Sequence, residues 1–411
     1  MKRIIINADK LFTGNEIIER ASVVVNGTRI VKVGKYGEFK GKGLKTRFLS
    51  PGLIDMHVHA TPFLYKYPYS RELKVIRYIM SLFLYNGVTT IRETGNSVNN
   101  TFNTIQLQMD KPSIHSSLFL DGKDPLWSMS FCVYDKSVID KMLDLAKVLE
   151  VEWIKSYESI NPEIFLNIVN EAHKRHFKVA SHGRAHVINS KVDTIEHIVT
   201  LLRKTKNIKW RKLYLLWSNS QELSQMKAVA SHMVRNKIAL CPTLVLSKME
   251  LFPSDGLTYS KYLRKLDPEY RPYQLKHPRN PLAKIKIKKR KRILKNMLAA
   301  TKLLHDNGVR ILAGSDCGNP FVAHGYSLHE ELKLLESTGI SRLDVLKSAT
   351  SECADTLGDM RVGRIKTGCR ADLLMIDGDP SRTISDLNKI THIILNGKVI
   401  NRASIRYMKN P

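Results

Sequence analysis

The chain has 411 residues, 43% of them hydrophobic and 25% charged, a size and balance that exclude a disordered polymer, a collagen and a disulfide-stapled miniprotein. Lysine and arginine total 66 against 38 aspartates and glutamates, so the formal net charge is +28 and the electrostatic bias is strongly positive. Such a length suits a large α/β barrel with a small appendage. The five cysteines, Cys132, Cys241, Cys317, Cys353 and Cys369, are scattered and lack a C-x-x-C pair, which points to a reducing compartment. No run approaches the roughly 18 apolar residues of a membrane span, and Asn7, Asp9 and Lys10 interrupt the apolar stretch Ile4 to Ile6 before a secretory core forms. A soluble cytoplasmic protein is the expectation.

The first 48 residues alternate short β-branched runs, Ile4 to Ile6, Val23 to Val25 and Ile30 to Val33, with turn signals at Asn26-Gly27 and Gly34, predicting a small antiparallel sheet. Short apolar strands then alternate with amphipathic stretches, the order that implies parallel strands joined by helical crossovers. The predicted strands are Leu53 to Val58, Val88 to Arg92, Ser113 to Phe119, Glu152 to Lys155, Lys178 to Ser181, Thr194 to Glu196, Ile238 to Cys241 and Arg310 to Ala313. Between them, Arg71 to Tyr85 carries Leu73, Ile76, Ile79, Met80 and Phe83 at helical spacing. Eight such units predict a closed (β/α)8 barrel. In Lys284 to Arg292, seven of nine residues are basic; this reads as the solvated face of a loop running into the helix that ends near His305. An anion-binding patch is the alternative, but no aromatic residue is interleaved to stack on bases, so nucleic acid is not expected. Strand signals return in Ala371 to Ile376 and His392 to Leu395, before Asn396-Gly397, Val399 and Ile400, and the two ends read as one domain.

In Ser50-Pro-Gly-Leu-Ile-Asp-Met-His-Val-His59 a strand ends in two histidines separated by one residue. If Ile54, Met56 and Val58 point outward, strand alternation turns His57 and His59 together into the barrel mouth, where neutral imidazoles can grip one cation. Two incidental strand histidines are the bland alternative. Further ligand types close later strands: Lys155 ends Val151 to Lys155, His182 ends Lys178 to His182, His197 ends Asp193 to His197, and Asp316 follows Ile311 to Ser315. Barrel active sites assemble at such strand ends.

Pro51 to His59, Gly314-Ser-Asp316 and Val362 to Ile376 resemble motifs of the metal-dependent amidohydrolase superfamily. Trp153 to Tyr157, His182, Ile195-Glu-His197 and Cys241-Pro-Thr243 look most like its branch of imidazolonepropionase-related enzymes and Xaa-Pro or Xaa-Arg dipeptidases. The resemblance implies a distorted (β/α)8 barrel over residues 49–360 and a composite β-sandwich domain from residues 1–48 and 361–411. It implies two divalent metal ions, zinc being the expected pair, with His57, His59 and Asp316 on one and His182 and His197 on the other. Lys155 would be their carboxylated bridge, since an ammonium does not coordinate dications whereas its carbamate, formed with carbon dioxide, does. The alternative is a lysine paired with Glu158 or substrate.

What the resemblance implies is hydrolysis of an amide C–N bond in a dipeptide, an N-acyl amino acid or a cyclic amide by metal-bound hydroxide, with Asp316 as proton shuttle. A helix N-cap is the structural alternative for Asp316. Tyr157 is a candidate oxyanion donor, otherwise a packing residue, and His324 resembles a family position near substrate, otherwise a cap or surface residue. His186 and His329 read as ordinary helix histidines. Arg92-Glu93-Thr94 resembles a buried Arg–Asp pair with glutamate as the acid. A mononuclear deaminase or imidazolonepropionase is the second reading, weakened because such relatives carry a glutamate where this chain has Ala185; a non-catalytic scaffold is the third. Homo-oligomerisation is compatible with all three. Specificity is expected to lie between Leu201 and Trp217 and between Glu250 and Lys284, and the positive charge to concentrate carboxylate-bearing substrates.

Overall fold

A computed structural model describes residues 3–61, 69–183, 185–202, 210–253 and 282–405; residues 203–209 and 254–281, within the stretches expected to shape the pocket, lie outside them. The β-branched runs near the N-terminus become β1 (Ile4–Phe12), β2 (Ile17–Asn26) and β3 (Arg29–Lys35), antiparallel neighbours joined at a turn where Gly27 takes φ 58°. The next strand, β4 (Leu44–Pro51), departs from the expected all-antiparallel sheet: it crosses to the free edge of β1 and pairs with it in parallel.

The chain then enters β5 (Leu53–Val58), β6 (Val88–Glu93), β7 (Ser113–His115), β8 (Ser117–Asp121), β9 (Phe131–Cys132), β10 (Trp153–Ser156), β11 (Lys178–His182), β12 (Thr194–Glu196) and β13 (Ala239–Cys241). Every pairing among these strands is parallel. The expected strand Ser113 to Phe119 is two strands, because the chain changes neighbours at Ser116: β7 pairs with β6, and β8 with β10. The expected strand Arg310 to Ala313 is reduced to a bridge at Ile311. Its backbone still joins both flanks, since Leu312 N–H donates to Leu240 O at 2.8 Å and Met56 N–H to Ala313 O at 3.0 Å. A regular ladder is lost because Ala313 N–H turns instead to Ser348 O at 2.7 Å. These bonds complete the barrel. Gly314 permits the close crossing, because a Cβ there would stand 2.3 Å from Cys241 Sγ and 2.9 Å from His57 Cβ.

Helices cover the outside for local reasons. Pro162–Lys174 starts at Asn161, whose side chain accepts from Glu163 N–H, carries proline in its first turn, and buries Phe165, Ile168, Val169 and Ala172 on one stripe. The helix expected over Arg71 to Tyr85 spans Tyr69–Tyr85 and buries Ile76, Ile79, Met80 and Phe83. The basic stretch opens the helix Ile287–Asp306, where Lys288, Lys289, Lys291 and Arg292 are exposed, as a solvated face requires. No helix among the described residues is long and apolar enough to cross a membrane.

Inside the barrel, Ile54, Met56, Trp153, Ala180, Ala239, Cys241 and Leu312 pack with Cys353, Ala354, Leu357 and Val362. This corrects the expected outward direction of Ile54 and Met56. The register of β5 against β6 is irregular between Asp55 and Val58, and such a bulge resets the alternation so that inward Met56 is followed by Val58 in the outer core.

The C-terminal strands β14 (Leu373–Ile376), β15 (Ile390–Leu395) and β16 (Lys398–Asn401) join the N-terminal ones in one seven-stranded sheet ordered β16-β15-β14-β4-β1-β2-β3. Its two faces enter different cores: Leu373 and Met375 pack with Ile6, Val23, Val25 and Leu49, whereas Leu374, Ile376, Ile393, Leu395, Phe12 and Phe48 enter the core beneath the barrel helices. Burying one such side chain is worth about 1.5–3 kcal/mol, so this face contributes as much as a domain's whole net stability of about 5–15 kcal/mol. A fragment limited to residues 49–360 is therefore expected to be insoluble or to bind a hydrophobic dye without near-ultraviolet dichroism; recovery of a folded, soluble fragment would contradict this packing.

Candidate metal centre

Strand alternation carries the barrel interior into the candidate site. Two residues beyond each inner core side chain stands a polar one: Lys155 after Trp153 on β10 and His182 after Ala180 on β11. On β12 the inward pair is Thr194 and Glu196, flanking Ile195 in the outer core. His197 follows Glu196 directly and turns inward because its backbone adopts φ 66°. Asp316 at φ 57° and Thr243 at φ 47° share this left-handed conformation, which non-glycine residues rarely adopt and which clusters at functional sites. Backbone bonds hold it there: His197 N–H donates to Cys241 O at 2.9 Å, and Asp316 N–H to His57 O at 2.7 Å. Asp316 lies in a loop and caps no helix.

Four imidazoles converge with a common polarity. His57 Nδ1 meets Glu196 Oε2 at 2.5 Å, His59 Nδ1 meets Gly95 O at 2.7 Å, His182 Nδ1 meets Glu158 Oε1 at 3.0 Å, and His197 Nδ1 meets Thr243 Oγ1 at 2.7 Å. A carbonyl or carboxylate only accepts, so at least the first three rings carry the proton on Nδ1 and present the Nε2 lone pair inward. His182 Nε2 and His197 Nε2 lie 3.1 Å apart, and His59 Nε2 is 3.2 Å and His57 Nε2 3.6 Å from Asp316 Oδ1. Donor atoms of His57, His197 and Asp316 all fall within 4.8 Å of one another, close enough to share a cation. A second such group, His57, Glu196 and Cys241, is less suited: Glu196 already accepts from Arg92, Thr194 and His57, and burial pushes the Cys241 thiol up, keeping it protonated.

Electrostatics favour neutral rings at His57 and His197 and an ionised Asp316, whereas at His59 burial is outweighed by the pull of the Asp316 carboxylate, which raises the ring. Burial lowers His57 to about 4 against the opposing pull of Asp316 and Glu196, and lowers His197 well below the histidine range. Burial opposes ionisation of Asp316, but His57, His197 and the hydrogen bond with His59 outweigh it and hold its carboxyl far below the usual value. Asn319 Nδ2 donates to its Oδ1 at 2.8 Å and fixes its orientation. Lys155, 1% exposed, is lowered to about 8 chiefly by burial, with Arg92 adding to the effect. Among the described residues its Nζ, like His57 Nε2, has no hydrogen-bond partner. A buried ammonium without an acceptor is costly, so the site is complete only with a further group.

Several supporting residues escaped the sequence reading. Arg92 does not pair with Glu93; it donates from Nη2 to Glu196 Oε1 at 2.6 Å and from Nε to Met56 O at 2.6 Å, while its guanidinium lies 4.5 Å from the Trp153 ring centre. Glu93 instead accepts from Ala60 N–H at 2.7 Å and Gly95 N–H at 3.2 Å, because those amides lie beside the end of β6. An acid at an inward position of a buried strand was the available signal for Glu196. Asp55, raised to about 7 by burial, ties β5 to the loop before Asp316 by accepting from Ser315 Oγ at 2.6 Å and Ser315 N–H at 2.9 Å. The Tyr157 ring centre is 4.3 Å from that of His182. His324 is buried, with Nε2 3.3 Å from His59 O and its ring edge-on to Phe83. His329 Nε2 pairs with Asn86 O at 2.7 Å and His186 packs against Phe165, both away from the cluster.

The amidohydrolase family profile matches residues 48–400. No curated protein matches the chain in sequence. Among solved structures, an Xaa-Pro dipeptidase with bound methionine is 18% identical, with TM-score 0.71 over 97% of this chain and 100% of its own. A prolidase complexed with N-methylphosphonate-L-proline is 17% identical, with TM-score 0.72 over 98% and 100%. The bottromycin amidohydrolase is 17% identical, with TM-score 0.75 over 99% of this chain and 88% of its own. At these identities the likeness is one of fold.

The buried Glu196 generates a stability prediction. Glu196→Leu leaves Arg92 without its counter-charge and frees the His57 ring, so unfolding stability is expected to fall by about 3–5 kcal/mol and zinc affinity by about 10–100-fold. Thr194→Val keeps both charges paired and is expected to cost about 1 kcal/mol. Thermal unfolding and zinc titration of both variants measure the contrast.

Proposed function

We propose that this chain, which belongs to the amidohydrolase family and is a hydrolytic enzyme, cleaves an amide C–N bond of a small substrate such as a dipeptide, an N-acyl amino acid or a cyclic amide. The observation that carries this reading is the set of inward Nε2 faces gathered around one buried carboxylate, with the unpartnered Lys155 Nζ beneath. These donors fit a pair of divalent cations, with zinc preferred for its affinity for imidazole. His57, His59 and Asp316 would hold one, and His182 and His197 the other. Lys155 fits as their bridge once its neutral amine adds to the carbon of carbon dioxide: the N–C bond forms, one proton leaves, and the resulting carbamate offers anionic oxygen where the ammonium offers none. When bound, such cations would supply Lewis acidity, which lowers the pKa of water and polarises a carbonyl.

The chain's own groups divide the remaining work. Asp316, ionised at rest, accepts the proton of the attacking water and returns it to the departing nitrogen. Tyr157, beside His182, donates its phenol to the carbonyl oxygen as negative charge grows there. His324, whose Nε2 pairs with the His59 carbonyl at the end of β5, borders the substrate. A dipeptide substrate agrees with the names of two structural neighbours, the Xaa-Pro dipeptidase and the prolidase. The five unpaired cysteines agree with a cytoplasmic site of action.

Zinc-loaded protein screened against dipeptides and N-acyl amino acids is expected to release free amine from at least one class; zinc-replete protein inert across the library would overturn the reading. Elemental analysis is expected to show Lys155→Ala dropping from two ions toward one, whereas retention of two with full activity would remove the bridge. Asp316→Asn is expected to lower kcat by about 10²–10⁴-fold, and turnover within twofold of the parent would remove the shuttle.

A further inference from the structure

The helix Leu244–Leu251 begins immediately after Thr243, so Thr243 occupies the position from which a threonine hydroxyl ordinarily caps the first free amides. Here it caps nothing: its backbone is left-handed, at φ 47° and ψ 49°, and its side chain makes no bond to the helix. The hydroxyl instead stands 2.7 Å from His197 Nδ1. The helix start is satisfied from elsewhere. Glu331, on the helix Tyr326–Ser337 and fully buried, accepts from Leu244 N–H at 3.0 Å and from Val245 N–H at 2.7 Å.

From this exchange we infer that Glu331 is a positioning residue for His197, acting through Thr243 by capping the helix in its place. The inference rests on the hydrolase reading above. Buried amides left without an acceptor cost about 1–3 kcal/mol each, and the left-handed backbone at Thr243 costs a similar amount, so the observed arrangement holds only while an outside acceptor is present. Without Glu331, Thr243 relaxes toward an extended conformation and its hydroxyl swings to the orphaned amides. His197 Nδ1 then loses its partner, and nothing fixes which ring nitrogen faces His182. Outer partners of this kind typically contribute about 10–100-fold to metal affinity. Glu331 lies well along the chain from both residues it serves, and it touches neither substrate nor cation.

The test is a double-mutant cycle read by zinc affinity, in competition with a chromophoric chelator, together with kcat and KM. Glu331→Ala and Thr243→Val are each expected to weaken zinc binding about 10-fold or more and to lower kcat more than they raise KM. Thr243→Ser keeps the hydroxyl and is expected to remain within about threefold of the parent, whereas Glu331→Gln, which sets an NH2 against one of the two amides, is expected to fall between the parent and Glu331→Ala. Because both groups act along one link, the double variant is expected to lose no more than the worse single one. Losses that multiply, or a Glu331→Ala variant that melts earlier while zinc affinity and kcat are unchanged, would reduce Glu331 to a structural cap. If Glu331→Ala does not fold, Glu331→Asp, which withdraws the carboxylate by one methylene, replaces it in the cycle with the same outcomes. A parent protein that binds no zinc and cleaves nothing overturns the hydrolase reading and this inference together, whereas a competent parent with multiplying losses overturns only the positioning role.

Discussion

The Nε2 atoms of this site face inward because each histidine has a hydrogen-bond partner behind it. Glu196, the Gly95 carbonyl, Glu158 and the Thr243 hydroxyl take up the four Nδ1 atoms, and Nε2 is what remains to face the barrel mouth. An imidazole free to rotate offers either nitrogen or neither; one pinned at the back offers a single lone pair in a fixed direction. Much of the surrounding architecture maintains those four contacts. The bulge in β5, the left-handed turn at His197 and the two amides that hold Glu93 at the end of β6 are local distortions with one shared result.

Such an arrangement is unstable by itself. Buried carboxylates, an arginine and a lysine crowd a region where isolated charge is strongly disfavoured, and the protein offsets this by pairing. Arg92 neutralises Glu196 while lying over Trp153, and Asp55 is held by Ser315. Beneath them the apolar plug of Ile54, Met56, Trp153, Leu312 and Leu357 excludes water from the barrel floor. Among the described residues Lys155 Nζ stands outside this pairing, as His57 Nε2 does.

Charge is arranged differently outside. Exposed lysines open the helix Ile287–Asp306, whereas the centre contains acids matched to its cations. Arg290 ties that helix to the end of Leu244–Leu251 by donating to Leu251 O at 2.8 Å, so the basic surface and the helix that begins at Thr243 belong to one packed unit.

Residue order alone places most of the strands and gives the chemical identity of the residues near their ends. Hydrophobic alternation and turn residues act over a few positions, which is why His57, His59, Lys155, His182, His197 and Asp316 stand out in the sequence as candidates, and why strand signals are legible at both termini. Tertiary structure decided the rest. The acid that meets Arg92 is Glu196, 104 residues away, and not the adjacent Glu93; the eighth barrel segment keeps only scattered backbone bonds; Thr243 turns its hydroxyl from its own helix because Glu331 arrives from another. Pairings of that length are chosen by which neighbours close packing brings within hydrogen-bond reach, and no periodicity in the chain records that choice.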